Sequence, residues 1–209
     1  VFTNDATKWI LDNLYFLTVG FKDFISYVVL NPLETLLAGS PWYVTVGMVV
    51  AIALIISELR IALLALMLAM LIVISGLWYE SMITLTQTIV GTLLTMFVGI
   101  ALGIWTGRNE RIERLLRPFL DAGQTLPAFV YLVPMLGLFG PTRFTAIATG
   151  IVYAIPIVVK IVGEGIRSVP YSQVEAAMAA GSTTRQIISK VQLPAAKRTM
   201  LLAVNQGLI

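Results

Sequence analysis

The chain contains neither cysteine nor histidine, and that removes most of the chemistry a protein can perform with its own side chains. Without a thiol or an imidazole there is no disulfide framework, thiolate nucleophile, imidazole base or Cys/His metal site. No catalytic residue and no metal ligand set is therefore expected. A Gly-Lys pair is also missing, so no phosphate-cradling Walker loop can be built. What remains are polar side chains at helical spacing in apolar surroundings. Asp121, Gln124, Ala128 and Tyr131 share one face of a segment, and Thr145, Thr149, Tyr153, Pro156 and Lys160 share one stripe of the next. Polar stripes on two neighbouring proline-bearing helices predict the walls of an aqueous pathway, with Gln124, Tyr131, Thr149 and Tyr153 as its candidate contacts. Lys160 has a second explanation, since its long stem lets the ammonium snorkel to the interface. A carboxylate at mid-bilayer costs about 2.5–3.5 kcal/mol on insertion scales, but Asp121 lies near a span end and is expected to stay partly wet.

The elements that must position these groups follow from composition. Of 209 residues, 58% are hydrophobic and 12% charged, against roughly 25% charged in soluble domains. The fold class expected is all-α, a polytopic helical membrane protein. Spans are predicted at about 41–57, 61–79, 83–106, 119–139 and 142–162, with a further one opening at about 199, because some 20 apolar residues cross the hydrocarbon. Trp42-Tyr43 and Trp78-Tyr79 form an aromatic belt on one side, and Ser57–Arg60 is a tight turn between the first two spans. The third span carries Gln87, Gly91, Thr95, Gly99, Gly103 and Gly107 at every fourth position. Small residues at that spacing let helices approach closely, so Gly91, Gly99, Gly103 and Gly107 read as a packing seam, with a pore lining as the alternative.

Residues 1–40 are interrupted by Asp5, Lys8, Asp12, Lys22, Asp23 and Glu34, too often for a span. Ile10, Leu14, Leu17, Phe21, Phe24 and Val28 fall on one helical stripe, which predicts an amphipathic helix along the membrane surface with Trp9 and Tyr15 at headgroup depth. A helix packed on the protein's own flank fits the same pattern. Asn31-Pro32 is expected to break it. The domains predicted are 1–40 as this N-terminal segment, 41–82 as two peripheral helices and 83–209 as the core. The net charge of +3 is concentrated in two loops, at residues 107–117 and around 164–198. Basic loops mark the cytoplasmic side and place the N-terminus outside; they point to membrane orientation, not to nucleic acid. Arg143, at an outer turn, is the exception. The chain opens Val-Phe-Thr-Asn-Asp without a signal peptide and stops at Ile209 within the last span, so it is expected to be a piece of a longer polypeptide.

Tyr171–Pro194 is the soluble-looking stretch between apolar segments. Ser172 with Glu175, and Thr183 with Gln186, each match the capping box that starts a helix. Gly181 can take the left-handed conformation that ends one, and Pro194, lacking an N–H, is expected to close the second helix. Val174, Ala177, Met178 and Gly181 recur on one face. The product is a bent helical pair; an ordinary loop between spans is the alternative.

This stretch resembles the cytoplasmic signature of ABC importer permeases: Glu-Ala-Ala, three residues, Gly, nine residues, an aliphatic residue, one more, then Leu-Pro. Here Glu175, Ala176, Ala177, Gly181, Val191, Leu193 and Pro194 meet it, with Val191 where Ile is usual. Gln124–Gly140 and Lys190–Leu208 are similar to the glycine betaine/proline betaine branch, the osmoprotectant importers. The likeness covers about Thr84–Ile209. Gly-Pro-Thr-Arg at 140–143 departs from that branch, and its Gly-rich ending is not met. The resemblance implies a type I permease fold in the bacterial cytoplasmic (inner) membrane, in which the signature is a coupling helix seated in an ATPase groove. It implies cytoplasmic ABC ATPase subunits as partners, a second permease copy making a homodimer, an extracytoplasmic substrate-binding protein or fused domain, and membrane lipid. ATP and Mg would sit in the ATPase, leaving this chain without a cofactor and not itself an enzyme. The implied cargo is a compatible solute; alternatives are choline, carnitine or an amino acid in the same class, or an ion-coupled secondary transporter. A quaternary ammonium suits an aromatic cage, which the family places in the binding protein.

Overall fold

The computed structural model describes residue 13 and residues 19–208, and among them every regular element is helical. The expectations for Trp9, Ile10, Leu14, Tyr15 and Leu17 lie outside the described residues. The chain divides into two compact units, Val1–Val90 and Gly91–Ile209.

In the first unit, helix α1 (Phe21–Ala38) meets α2 (Trp42–Ile56) at 102°. Asn31-Pro32 does not break α1. The five residues before it, Ser26–Leu30, widen into a π turn, and Pro32 then occupies the first turn of the next α-helical stretch. A proline at that position removes an N–H that would have had no partner anyway. Pro41, held at φ −54° and ψ 136°, starts α2. Ser57 and Glu58 are extended, and this short joint lets α3 (Leu59–Ile74) fold back against α2. The segment expected as a span at 61–79 is not one helix. Gly76 at φ +75° ends α3, and Trp78 opens α4 (Trp78–Arg108), which contains the whole of 83–106.

In the second unit, Asn109 caps α5 (Glu110–Thr125), its Oδ1 accepting from the Arg111 N–H at 2.9 Å and the Ile112 N–H at 3.3 Å. The expected span at 119–139 is two helices, α5 and α6 (Ala128–Phe139), meeting at 99°. Leu126 and Pro127 between them are extended. The reason is the pre-proline restriction, which drives Leu126 out of the helical region. Gly140 at φ +67° then turns the chain into α7 (Arg143–Arg167), whose first turn is capped by Thr142 with Thr145. Next come α8 (Tyr171–Ala179), α9 (Thr184–Ile187), a π turn at Ile188–Gln192, α10 (Leu193–Ala195) and α11 (Lys197–Gln206).

Helix α7 is the centre of this unit. Helices α5, α6 and α11 all pack on it, and Val158, Val159 and Val162 are fully buried. The α4 glycines make the closest approach. A Cβ built on Gly99 would stand 2.5 Å from Val158, one on Gly103 2.5 Å from Val162, and one on Gly107 2.8 Å from the Gly163 carbonyl, whereas Gly91 is in ordinary contact with Ile147 at 3.7 Å. Where lipid gives no hydrophobic drive for association, such contact supplies it by dispersion. On the far side, α11 runs antiparallel to α7, with Thr199 against Gly165 and Gly207 near Val158.

By length and composition α4 and α7 can each cross a membrane alone, and up to four spans result if each bent pair counts as one; α3 is apolar but shorter. Substituting Gly99 or Gly103 by Leu is expected to force α4 off α7 at a cost of about 1–3 kcal/mol, the usual penalty of overpacking. Gly47→Ala, where nothing lies within 4 Å, is expected to leave stability unchanged or slightly raised. Thermal unfolding in detergent compares them.

Candidate functional site

The segment between α7 and α11 is built by turn chemistry that the sequence announces and packing that it does not. Helix α8 ends in a Schellman motif: the Ser182 N–H reaches the Ala177 carbonyl at 3.0 Å and the Gly181 N–H reaches Met178 at 2.9 Å. Gly181 sits at φ +77°, where a Cβ would crowd the following carbonyl. A Cβ there would meet nothing within 4 Å, so the demand for glycine is conformational and not steric. Thr183 then caps α9. Its Oγ1 accepts from the Gln186 N–H at 3.4 Å, while the Thr183 N–H donates to Gln186 Oε1 at 2.7 Å.

Two local expectations fail. Ser172 and Glu175 do not form a capping box, because α8 starts two residues earlier, with Pro170 in the cap position and no side-chain cap. Ser172 is already inside the first turn. Nor does Pro194 close the second helix. The π turn at Ile188–Gln192 shifts the register so that Pro194 falls in the first turn of α10, and a single turn residue, Ala196, leads from there into α11.

The elbow so formed has an inner and an outer side. Val169, Ile187, Gln192 and Ala196 are buried; Glu175, Ala176 and Gly181 are exposed. Tyr171 and Met178 are 69% and 45% exposed. The Val174, Ala177, Met178, Gly181 stripe is thus divided: Val174 and Ala177 are half-buried, the other two open. Val191 and Leu193 are half-buried and Pro194 is exposed. Glu175 has no hydrogen bond or ion pair among the described residues. A carboxylate in open solvent beside small residues offers a shallow, polar docking face.

The elbow is tied down at both limbs. Arg108, the last residue of α4, donates to the buried side-chain oxygen of Gln192. Arg167, the last of α7, pairs with Glu113 on α5. The two basic loops, distant in sequence, therefore meet at one end of the unit. Sequence reasoning missed Gln192; a polar residue between Val191 and Leu193 carries no period to flag it.

A second polar cluster lies one step away. The Lys160 ammonium does not snorkel; it reaches across to α5, pairing with Asp121 and donating to Gln124 Oε1 at 3.0 Å. Arg117 approaches the same carboxylate at 4.0 Å. Asp121 is half exposed, as expected of a wet group. Arg117, Asp121 and Lys160, with Glu113, Glu164 and Arg167, line a cleft of about 120 Å³.

Of the pathway candidates, Gln124 is therefore joined to Lys160. Tyr131 donates to the Gly123 carbonyl at 2.8 Å, bridging the α5–α6 bend, and its ring lies 6.4 Å from that of Tyr153. Gly123 admits this geometry because a Cβ there would stand 2.9 Å from Pro156. Thr149 is buried and donates to the Thr145 carbonyl of its own helix at 2.8 Å. The four do not converge on one point; they form a Gln124–Lys160 pair and a Tyr131–Tyr153 pair, with Thr149 apart. No cluster of His, Cys, Asp or Glu fit to hold a metal occurs among the described residues.

With this geometry in place, comparison with known proteins is informative. Residues 99–204 match the family described as binding-protein-dependent transport system inner membrane component. The chain is 34% identical over 205 residues to a glycine betaine/proline betaine transport system permease of Escherichia coli, covering 98% of this chain and 58% of the relative. It is 36% identical over 159 residues to a glycine betaine transport permease of Bacillus subtilis (76% and 56% covered). Identity is 39% over 132 residues to a glycine betaine/carnitine permease of Listeria monocytogenes (63% and 47% covered). The chain thus spans about half the length of these relatives.

Gly181→Val is expected to lose on the order of 1–2 kcal/mol of local elbow stability, since a β-branched residue resists φ > 0. Thr183→Ala should lose about 1 kcal/mol with its cap. Hydrogen exchange confined to residues 177–187 reports both; unchanged protection there in Gly181→Val would place the joint elsewhere.

Proposed function

The chain belongs to the binding-protein-dependent transport system inner membrane component family, and on that premise we propose that it is the permease part of an ATP-driven importer of compatible solutes. The observation that carries the reading is the exposed elbow, Tyr171–Pro194, jointed at Gly181 and left open on its Glu175–Ala176 side. It is the coupling element, with Glu175, Ala176, Ala177, Gly181, Val191, Leu193 and Pro194 supplying its shape, and it faces the cytoplasm with the basic loops around it.

Its partners are two cytoplasmic ATPase subunits that hold ATP and Mg, a second copy of the permease, and a substrate-binding protein or domain outside. ATP-driven closure of the ATPases can shift the permease between inward- and outward-facing states only through contacts that differ between those states. The elbow supplies such a contact because it follows α7 after the short turn at 168–170 and leads through Ala196 into α11. The cargo follows from the relatives, whose names specify glycine betaine, proline betaine and carnitine. What these share is a quaternary ammonium beside a carboxylate. Tyr131 and Tyr153 are the aromatic surfaces on α6 and α7 past which such a cation would move, by cation–π attraction; the selective cage belongs to the binding protein. An ion-coupled mechanism finds less support, because Arg143, Glu164 and Arg167 lie at or near the ends of α7 and its one inner charge, Lys160, is paired with Asp121.

The full permease reconstituted in vesicles with its ATPase and binding protein is expected to take up labelled glycine betaine only with internal or external ATP on the ATPase side. Gly181→Val should reduce that uptake roughly five- to thirtyfold, the equivalent of 1–2 kcal/mol. Uptake driven by a Na⁺ or H⁺ gradient without ATP would overturn the assignment. Choline, carnitine and proline as competitors define the cargo.

A further inference from the structure

The elbow is gripped by a single corner of the same subunit. Arg108 is the last residue of α4, Asn109 the cap, and Glu113 lies in the first turn of α5. Within these six positions sit both tethers: Arg108 to Gln192 on the limb that leaves the elbow, and Glu113 to Arg167 on the limb that enters it. The Arg108–Gln192 tether joins residues 84 apart in sequence, and the two anchor points on the elbow, Arg167 and Gln192, lie on opposite sides of Tyr171–Ala179. Both are partly withdrawn from water. Gln192 is 7% exposed, and the Glu113 and Arg167 side chains are 24% and 35% exposed. The corner itself is rigid: Asn109 accepts from two backbone N–H groups, and the Glu113 N–H reaches the Asn109 carbonyl at 3.0 Å. Immediately above, Gly107 admits the Gly163 carbonyl and Ile166 at distances no side chain allows.

From this arrangement we propose that the α4–α5 corner, through Arg108 and Glu113, is the receiving part of the transmission: it makes the two limbs of the elbow move as one body and passes their displacement to α4 and α5. The inference rests on the reading of the elbow as the ATPase contact. A load applied to the outer face of α8 reaches the rest of the unit by three routes: along α7, along α11, and across these two tethers. The first two run along helix axes and return to the same α7–α11 pair. The tethers carry the load directly from the elbow to the end of α4, whose glycine seam holds α7, and to the start of α5, whose far end bears Gln124 and the bend into α6. A charge-assisted bond to a buried amide is among the stronger side-chain contacts, and the ion pair adds direction because reversing one charge repels the limb. Arg108, Glu113, Arg167 and Gln192 are thus positioning residues; none touches cargo or nucleotide.

The test uses the complete transporter with its ATPase and binding protein in vesicles, reading labelled glycine betaine taken up per ATP hydrolysed. Wild-type uptake is the control for the functional reading: if the wild type does not transport, that reading fails and this one, which rests on it, falls with it. With a working wild type, Gln192→Leu and Glu113→Arg are expected to lower the coupling ratio about tenfold while ATPase subunits still co-purify and hydrolysis stays within about twofold, the scale of one lost charge-assisted bond. Gln192→Glu, which keeps an acceptor for Arg108, should retain coupling. The exchanged pair Glu113→Arg with Arg167→Glu should recover it, including where either single variant assembles poorly. Coupling ratios equal to wild type in Gln192→Leu and Glu113→Arg, or an exchanged pair that assembles without recovering, would overturn the proposal.

Discussion

The closest contact in the second unit, α4 lying against α7 at Gly99, Gly103 and Gly107, is the constraint on which the rest of that unit depends. With no side chain on α4 at these positions, the valines of α7 and the carbonyls behind them come within distances that any Cβ would forbid. Dispersion falls steeply with separation, so a gap of half an ångström along such a seam forfeits much of the contact. Because α7 is held on this face by α4, it can receive α5, α6 and α11 on its others. The core cluster of Met96, Val158, Val162, Ile166 and Ala203 is the outcome, drawing one residue from α4, three from α7 and one from α11.

At two of the X-Pro pairs within helical runs the chain places a π turn just upstream, whereas Pro118, Pro134 and Pro156 sit inside α5, α6 and α7 without one. At Ser26–Leu30 the wider turn precedes Asn31-Pro32, and at Ile188–Gln192 it precedes Leu193-Pro194. In a regular α-helix the proline ring would strike the carbonyl four residues back and leave it without a donor. One wider turn resets the register, and the helix proceeds. In the elbow this has a further effect: the π turn presents Gln192 inward to Arg108 while Val191 and Leu193 remain half-buried beside it. A proline that ended the helix would have left the elbow hinged at its exit. As built, the exit limb passes the proline and turns into α11 only at Ala196.

The charged groups add little to stability and much to placement. Exposed pairs such as Arg117 with Asp121 contribute roughly 0–1 kcal/mol, and Lys160 with Asp121 is only partly withdrawn from water. Yet Lys160 with Asp121 and Arg167 with Glu113 both join α7 to α5, a helix weakly held by apolar contact, since it buries no residue fully. Its charged face lies toward the cleft and its ends are fixed by Asn109 at one side and the Tyr131 bridge at the other. The polar interactions therefore decide where an amphipathic helix rests against an apolar core that does not itself grip it.

Much of this was legible in the residues alone. The helical fold class followed from composition. The glycine seam followed from a four-residue spacing, and the elbow joint from a glycine between two short helical patterns with a Thr-x-x-Gln start. These are signals written within one or two turns, where backbone sterics and local hydrogen bonds act before any tertiary contact exists. What they could not decide is anything that depends on a neighbour distant in sequence. The break at Leu126–Pro127 reads as a kink in one span until the 99° bend is seen. Ser172 looks like a cap until Pro170 takes that place, and Lys160 reads as a snorkelling side chain until Asp121 and Gln124 arrive from α5. Gln192 carries no local signal at all. Its role exists only because α4 ends beside it, and a contact across 84 residues is set by how helices pack, not by the order in which they are strung.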